Sequence, residues 1–302
     1  MDRDAVFIEL LAKISQDWAG LADKPMETPS QTLHILWKFS GGQMESLEDD
    51  LKGSLPDLDP QQLATLRALV QQRCEHTPLA YLVGRQKFMG IELLTGPEAM
   101  IPRLETEILG RAAVEALRRQ ARERGQVEVL DLCCGSGNLA LALAHAELGC
   151  WVTGADISPA AVGLAARNAA WNGLEERVNF VQSDLFSVFE NESDIRKFDL
   201  ITCNPPYISS AQVERLPEEI RAHEPRLAFD GGTFGIRVIS RLLRDAPRFM
   251  KGQSFLCFEV GAGQGKVIEN LLKRYSTYNA PELFRDEQGQ VRAVRLTRLP
   301  GP

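Results

Sequence analysis

The stretch VLDLCCGSGNLALALA, residues 129–144, passes from an apolar run through a turn with two glycines into an Ala/Leu helix. The first part has the texture of a buried strand and the last part that of a helix, so strand and helix must pack back to back across a very short turn. That is the opening half of a βαβ unit. The pattern recurs downstream. VEVLDLC (127–133) leads to a helix over 138–148, and WVTGADI (151–157) leads to one over 159–171. VNFVQSDL (178–185), FDLITCN (198–204) and SFLCFEVG (254–261) continue the strands, with helices around 236–250 and from Gln264. Alternation of this kind predicts an α/β fold with a doubly wound, mostly parallel sheet. LFRDEQGQVRAVRLTRL (283–299) offers two strands around Gly289 with no helix between them, so the chain should end in an antiparallel hairpin, for seven strands in all.

Upstream the texture is different. Between residues 2 and 85 apolar residues recur three and four apart, as in Val6, Leu10, Leu11 and Ile14, then Leu33, Ile35, Leu36 and Trp37, then Leu63, Leu66, Leu69 and Val70. This predicts a small helical domain over 1–85. SLPDLDP (54–60) breaks it, with Asp59 set to cap a helix and Pro60 in its first turn. FMGIELLTGPEAMIP (88–102) has short β-like runs broken by Gly and Pro, which suits a hairpin-like linker over 86–102 before a second domain over 103–302.

The 302 residues, 44% hydrophobic, can bury two cores. A net charge of −7 provides no basic face for phosphate neutralisation, so stable nucleic-acid binding is not expected. Six cysteines without CxxC spacing fit a reducing cytoplasm. No leader pattern or apolar run of about 18 residues is present, so neither secretion nor a membrane span is expected.

In a doubly wound sheet, ligands bind beyond the carboxyl ends of the strands. Gly135 and Gly137 would let a ligand approach the backbone, with Asp131 and Cys133 expected to face the cleft. A glycine turn also serves plain strand-to-helix packing, so alone it decides little. The next strand ends GADIS. This sets Asp156, with Ile157 beside it, about 20 positions beyond the last turn glycine, where a carboxylate accepts from two ribose hydroxyls. Together these features imply a nucleoside. A dinucleotide would want the full G-x-G-x-x-G spacing, and residues 133–140 have only its first two glycines, although Ala140 can stand for the third. SDLF then sets Asp184 to accept from an adenine amino group, with Leu185 adjacent and Phe186 adding apolar surface. A helix cap or turn acid is the plainer reading of Asp184.

ITCNPPYI (201–208) begins as a buried strand and stops on an amide, two prolines and a tyrosine. Consecutive prolines remove two donors and fix φ, so nearby carbonyls are rigid and unspent. Asn204 Oδ1 and the Pro205 carbonyl form a pair of acceptors that can grip both protons of a planar NH2 group, with Pro206 behind them and the Tyr207 ring stacking on that group. Amide and adenine nitrogens are poor nucleophiles. Two fixed acceptors aim the lone pair at an electrophile and let charge develop there. A sulfonium methyl carried on a nucleoside, S-adenosylmethionine, meets that need and leaves S-adenosylhomocysteine as product.

Asn204–Tyr207, the Asp131 turn and the blocks TPLAYLVGRQKFMG (77–90), IPRLETEIL (101–109), HEPRLAFDGG (223–232) and FEVGAGQG (258–265) resemble the PrmC/HemK family, the release-factor glutamine N5-methyltransferases. The likeness covers residues 77–302. It implies a class I, Rossmann-like methyltransferase fold behind a helical substrate-recognition domain, with methyl transfer to the glutamine of a Gly-Gly-Gln loop in a peptide chain release factor. The chain is expected to act as a monomer. Two positions depart from the family pattern. Cys133 stands where a third turn glycine is usual, adding bulk beside the cofactor, and Leu104 stands where proline is usual. Residues 1–76 match the family only in being helical. The same chemistry on a nucleobase or a small molecule, and a non-catalytic cofactor-binding role, remain alternatives.

Arg103, Glu105 and Glu107 have two readings of equal weight: residues lining the methionine end or the substrate mouth, or acids and bases at a helix start. Gly41-Gly42-Gln43 repeats the acceptor tripeptide within the chain and is read as coincidence. The four histidines show no ligand spacing, and no metal is expected.

Overall fold

The computed structural model describes residues 2–16, 18, 27–43, 54–190 and 195–299. Four helices come first: α1 (Arg3–Gln16), α2 (Pro29–Ser40), α3 (Pro60–Cys74) and α4 (Leu79–Val83). Their apolar faces meet in one cluster that includes Leu10, Leu33, Leu36, Trp37, Leu66 and Val70. Helix α3 begins as its sequence dictates. Asp59 accepts from Gln62 N at 2.8 Å while Gln62 Oε1 accepts from Asp59 N at 2.9 Å, a reciprocal cap ahead of Pro60. Gly41-Gly42-Gln43 ends α2: Gly42 sits at φ +70°, and Gln43 N donates to Lys38 O at 3.0 Å. Gly42 therefore serves a helix stop in the left-handed region, while Gly41 stays helical at φ −79° and a Cβ there would lie 2.7 Å from Pro56 Cγ.

β1 (Arg85–Phe88) and β2 (Ile91–Leu94) form the antiparallel hairpin expected in the linker. The hairpin closes at Leu94, and the rest of the stretch to Pro102 is turn and extended chain.

The remainder alternates: α5 (Thr106–Arg124), β3 (Val127–Leu132), α6 (Asn138–Ala146), β4 (Cys150–Asp156), α7 (Pro159–Trp171), β5 (Val178–Gln182), β6 (Phe198–Cys203), α8 (Ser210–Val213), α9 (Glu218–His223), α10 (Arg237–Phe249), β7 (Met250–Glu259), α11 (Gly265–Leu272), β8 (Glu282–Arg285) and β9 (Val291–Thr297). The strands form one seven-stranded sheet in the order β5-β4-β3-β6-β7-β9-β8. β3 to β7 pair in parallel, while β9 runs antiparallel to both β7 and β8. The pleat sends Val127 and Val129 to one face, with Leu109, Leu117 and Leu141, and Leu130 and Leu132 to the other, with Leu242, Leu243 and Phe249. Both faces are covered by helices, as the near-continuous apolar strands require. The strand order reverses between β3 and β6, and that switch point opens the crevice at their carboxyl ends.

Candidate active site

A cavity of about 380 Å³ opens at this crevice, within the range of small-molecule sites. Its walls come from the turns after β3, β4, β5 and β6, together with residues 98–100, Pro102, the segment 225–230 and the start of α10. Of the residues expected to hold a cofactor, Cys133, Gly135, Asp156, Ile157, Asp184, Leu185 and Asn204 line it.

Asp156 Oδ2 accepts from Gly135 N and its Oδ1 from Ser158 N, both at 2.9 Å. The carboxylate lines the cavity, and its oxygens have more lone pairs than these two donors use, so it can accept from a ligand hydroxyl. Burial raises its pKa, and the backbone donors oppose that rise. Ser136 Oγ, also in the cavity wall, is buried without a hydrogen-bond partner among the described residues. This turn and carboxylate fit the adenosine part expected from the sequence.

Asp131 does not face the cleft. It is fully buried, its Oδ1 accepting from Thr202 Oγ1 at 2.7 Å and its Oδ2 from Ala140 N at 3.1 Å. Helix α6 is capped by Gly137, which has no side chain to offer. The carboxylate of β3 supplies the missing acceptor at the helix N-terminus, where negative charge is favoured. Burial pushes its pKa up to about 7, with the Thr202 hydroxyl and Ala140 N–H working against the rise. Gly137 does not line the cavity either. At φ +83° it turns the chain, and a Cβ there would lie 2.8 Å from Phe180 Cζ. Its role is therefore to let the turn close on β5.

Asp184 lines the cavity but is not unpaired: Arg241 of α10 holds it through two contacts of 3.0 Å. Both side chains are over a third exposed, so the pair is worth at most about 1 kcal/mol and yields readily to a ligand. Phe186 turns away from the cavity, into the core, where its ring stacks on Phe249 with centroids 4.5 Å apart.

Cys133, where the resembled family usually has glycine, sits at φ +55°. A side chain in that region costs about 1–2 kcal/mol. Cys133→Gly is expected to raise stability by about 0.5–1 kcal/mol, the strain relief being partly offset by the freer unfolded chain. Urea unfolding of the two proteins checks this, and a fall in midpoint would contradict it.

At the end of β6, Asn204 Nδ2 donates to Thr106 Oγ1 at 3.2 Å, which leaves Oδ1 as the amide atom available to the cavity. Nearby carbonyls are spent: Tyr207 O accepts from Gln264 Nε2 at 2.9 Å and Ile208 O from Gly231 N at 2.8 Å. No donor among the described residues reaches the Pro205 carbonyl. Pro206 lines the cavity, while Pro205 and Tyr207 do not. Tyr207 points its hydroxyl inward to Glu259 Oε1 at 2.9 Å, and its ring packs on the core, so it braces the loop.

Arg103 and Glu105 do not reach the mouth. Arg103 is buried in an ion pair with Glu224, and Glu105 pairs with Arg292 at 3.4 Å. Glu107 accepts from Met89 N at 3.2 Å and from Arg111 at 3.1 Å. Leu104 is 57% exposed, and nothing in the structure explains its presence. Four groups escaped the sequence reading. Arg237 and Arg241 on α10 line the cavity, and their spacing of four on one helix was the available signal. Thr106 and Glu259 lie behind Asn204, and a lone acid inside the apolar run FLCFEV was the hint for the second.

A family model described as "Methyltransferase small domain" matches residues 111–266, the span that builds most of this crevice. The hMettl16 catalytic domain shares the architecture at a TM-score of 0.53, with 13% identity, covering 82% of this chain and 86% of that one. The fold is that of a class I methyltransferase. Sequence relatives narrow this further. The release factor glutamine methyltransferase of Geobacter sulfurreducens is 37% identical, with 72% of each chain covered. That of Gloeobacter violaceus is 37% identical over 76% of this chain and 78% of its own, and that of Bacillus subtilis 34% over 74% and 77%. The chain belongs to the release factor glutamine methyltransferase family.

Proposed function

We propose that this protein transfers a methyl group from S-adenosylmethionine to the side-chain amide nitrogen, N5, of a glutamine in a peptide chain release factor, within its Gly-Gly-Gln loop. The observation that carries the reading is the pair of unspent oxygens after β6: Asn204 Oδ1, turned to the cavity by Thr106, and the Pro205 carbonyl. S-adenosylmethionine, when bound, supplies an electrophilic sulfonium methyl. Gly135, Asp156 and Asp184, with Cys133, Ile157 and Leu185 around them, hold its adenosine part. Asn204 Oδ1 and the Pro205 carbonyl each accept one N–H of the acceptor amide and so present the nitrogen lone pair. Pro206 and the braced Tyr207 keep the two acceptors in place. Proximity and orientation of this kind supply about 7–11 kcal/mol, so no strong base is needed and the excess proton leaves to water afterwards.

The helices of residues 1–85 act as a domain for the protein substrate. They have an apolar core of their own, and a buried ion pair of 2.8 Å between Arg73 and Glu219 anchors them to the segment that follows the Asn204 loop. In this reading the protein acts as a monomer in the cytoplasm, all the residues assigned to donor and acceptor belonging to one chain. No helix among the described residues is long and apolar enough to cross a membrane.

The test is a methyl-transfer assay with radiolabelled S-adenosylmethionine on a release factor, on the same factor with its loop glutamine changed to alanine, and on oligonucleotides. Label is expected in the first alone. Equal labelling of the alanine variant, or transfer to the oligonucleotides instead, refutes the reading.

A further inference from the structure

Two arginines of α10 line the cavity, and they differ in what holds them. Arg241 is gripped by Asp184. Arg237 is exposed, and its side chain makes no hydrogen bond or ion pair among the described residues. The other acids of the wall have donors of their own. Glu98 pairs with Arg167 at 2.7 Å and Asp156 accepts from two backbone N–H groups, while Asp230 accepts from Ser210 Oγ at 2.7 Å and from Gly232 N at 3.0 Å. Arg237 therefore stands at the opening as an uncompensated guanidinium, in a chain whose net charge is −7.

Folding does not call for a cation at this position. Arg237 is the first residue of α10, where the helix dipole opposes positive charge, and that first turn holds no acid to offset it. A residue kept against a local preference is expected at functional sites. The backbone nevertheless makes room for it. At Gly232, φ +85°, a Cβ would come within 3.3 Å of Arg237 Cβ and 3.5 Å of its Nε, so the arginine stem lies along this glycine.

The segment that carries Arg237 is bound to the loop after Asn204. Ile208 N donates to Phe229 O at 2.9 Å, Gly231 N to Ile208 O at 2.8 Å and Ser210 N to Gly232 O at 3.1 Å. Gln264 Nε2 joins Tyr207 O, at 2.9 Å, to Gly235 O, at 3.4 Å. A chain whose amide is gripped by Asn204 Oδ1 and the Pro205 carbonyl has this segment as its neighbour. The segment also leaves two large apolar side chains in solvent: Leu227, 53% exposed and part of the cavity wall, and Phe234, 79% exposed. Apolar groups around a guanidinium let a protein partner exclude water from the ion pair it forms there.

We propose that Arg237 is a specificity-determining residue for the acceptor, pairing with a carboxylate that the acceptor protein carries near the methylated glutamine. This rests on the reading of Asn204 and Pro205 as the acceptor clamp. A guanidinium meets a carboxylate through two parallel N–H···O bonds, and a carboxylate, unlike a peptide carbonyl, also neutralises its charge. An acceptor that brings a cation to this place is rejected by repulsion.

The experiment measures kcat and KM for a release factor at saturating S-adenosylmethionine, in about 50 mM and about 300 mM salt, with wild type, Arg237→Gln and Arg237→Glu. Calorimetry gives the affinities of S-adenosylhomocysteine and of 5′-methylthioadenosine, which lacks the amino-acid carboxylate. Arg237→Gln is expected to raise KM about tenfold at the lower salt with kcat within about twofold, and Arg237→Glu to raise KM further. Salt is expected to raise the wild-type KM about threefold or more, to move that of Arg237→Gln much less, and to lower that of Arg237→Glu. Both nucleosides keep their wild-type affinities. The inference is overturned if Arg237→Gln keeps the wild-type KM, or if its KM responds to salt as the wild type does. It is overturned as well if Arg237→Gln weakens S-adenosylhomocysteine binding; a loss that 5′-methylthioadenosine does not share assigns the guanidinium to the cofactor's own carboxylate. Any of these results beside methyl transfer to the release factor by wild type removes the role of Arg237 alone. Absence of transfer by wild type, or wild-type turnover by Asn204→Ala, removes the acceptor reading beneath it.

Discussion

Asn204→Ala is expected to lower kcat by about 10²-fold or more while leaving S-adenosylhomocysteine affinity within about threefold. The asymmetry follows from where the side chain stands. Its Nδ2 is tied to Thr106, and its Oδ1 is the amide atom left for the cavity, so truncation removes an oriented acceptor. The turn proposed to hold the cofactor is tied together by the hydrogen bond from Gly135 N to Asp156, which does not involve Asn204. A nitrogen held by the Pro205 carbonyl alone is free to swing, and its lone pair loses the alignment that positioning provides. Steady-state kinetics and calorimetry on one preparation separate the two quantities. If turnover and affinity fall together, Asn204 supports the fold rather than the reaction.

Glu224→Ala is expected to cost about 3–5 kcal/mol of stability, the largest effect of any single change considered. The Glu224 side chain is fully buried; one oxygen pairs with the equally enclosed Arg103 and the other accepts from Ile101 N at 2.9 Å. Arg103 also donates to Ile101 O at 3.1 Å. Removing the carboxylate leaves a buried guanidinium and an unpaired backbone N–H. It also frees residues 99–102 from the segment after the Asn204 loop, and Ala99, Met100 and Pro102 form part of the cavity wall. Loss of cofactor affinity should therefore accompany the loss of stability. Replacing both partners by apolar residues, Arg103→Met with Glu224→Leu, is expected to recover most of the stability, because no uncompensated charge remains. Urea unfolding of the single and double variants checks both statements; a single variant within about 1 kcal/mol of wild type would show that water reaches Arg103.

The two acids of the glycine turn show how far sequence reading extends. Both Asp131 and Asp156 sit at strand ends beside it, and both read as cleft residues. Asp156 is one. Asp131 turns inward because α6 starts on Gly137 and needs an acceptor from elsewhere. The demand comes from a helix end, and it becomes visible only when strand and helix are placed together. Phe186 faces the core for a related reason. A ring one position past the strand-end turn can face cavity or core, and the helix carrying Phe249 decides between them.

Arg103 and Glu105 had two readings of equal weight, and partners far along the chain chose the plainer one. Glu224 lies 121 positions from Arg103, and Arg292 comes from the last strand. Thr106 has no local signature, and the one acid in the apolar run FLCFEV does not say which side chain it faces.

By itself the sequence determined the alternating elements, the parallel sheet with its closing hairpin, the helix cap at Asp59 and the location of the crevice. Each of these follows from periodicity and turn chemistry acting over a few neighbouring residues. Only the tertiary structure decided which charged and polar side chains look into the crevice and which are spent behind it. A buried carboxylate, hydroxyl or guanidinium must find a partner wherever one lies in space, and here the partners are separated by tens to more than a hundred positions: Thr202 for Asp131, Glu259 for Tyr207, Glu224 for Arg103.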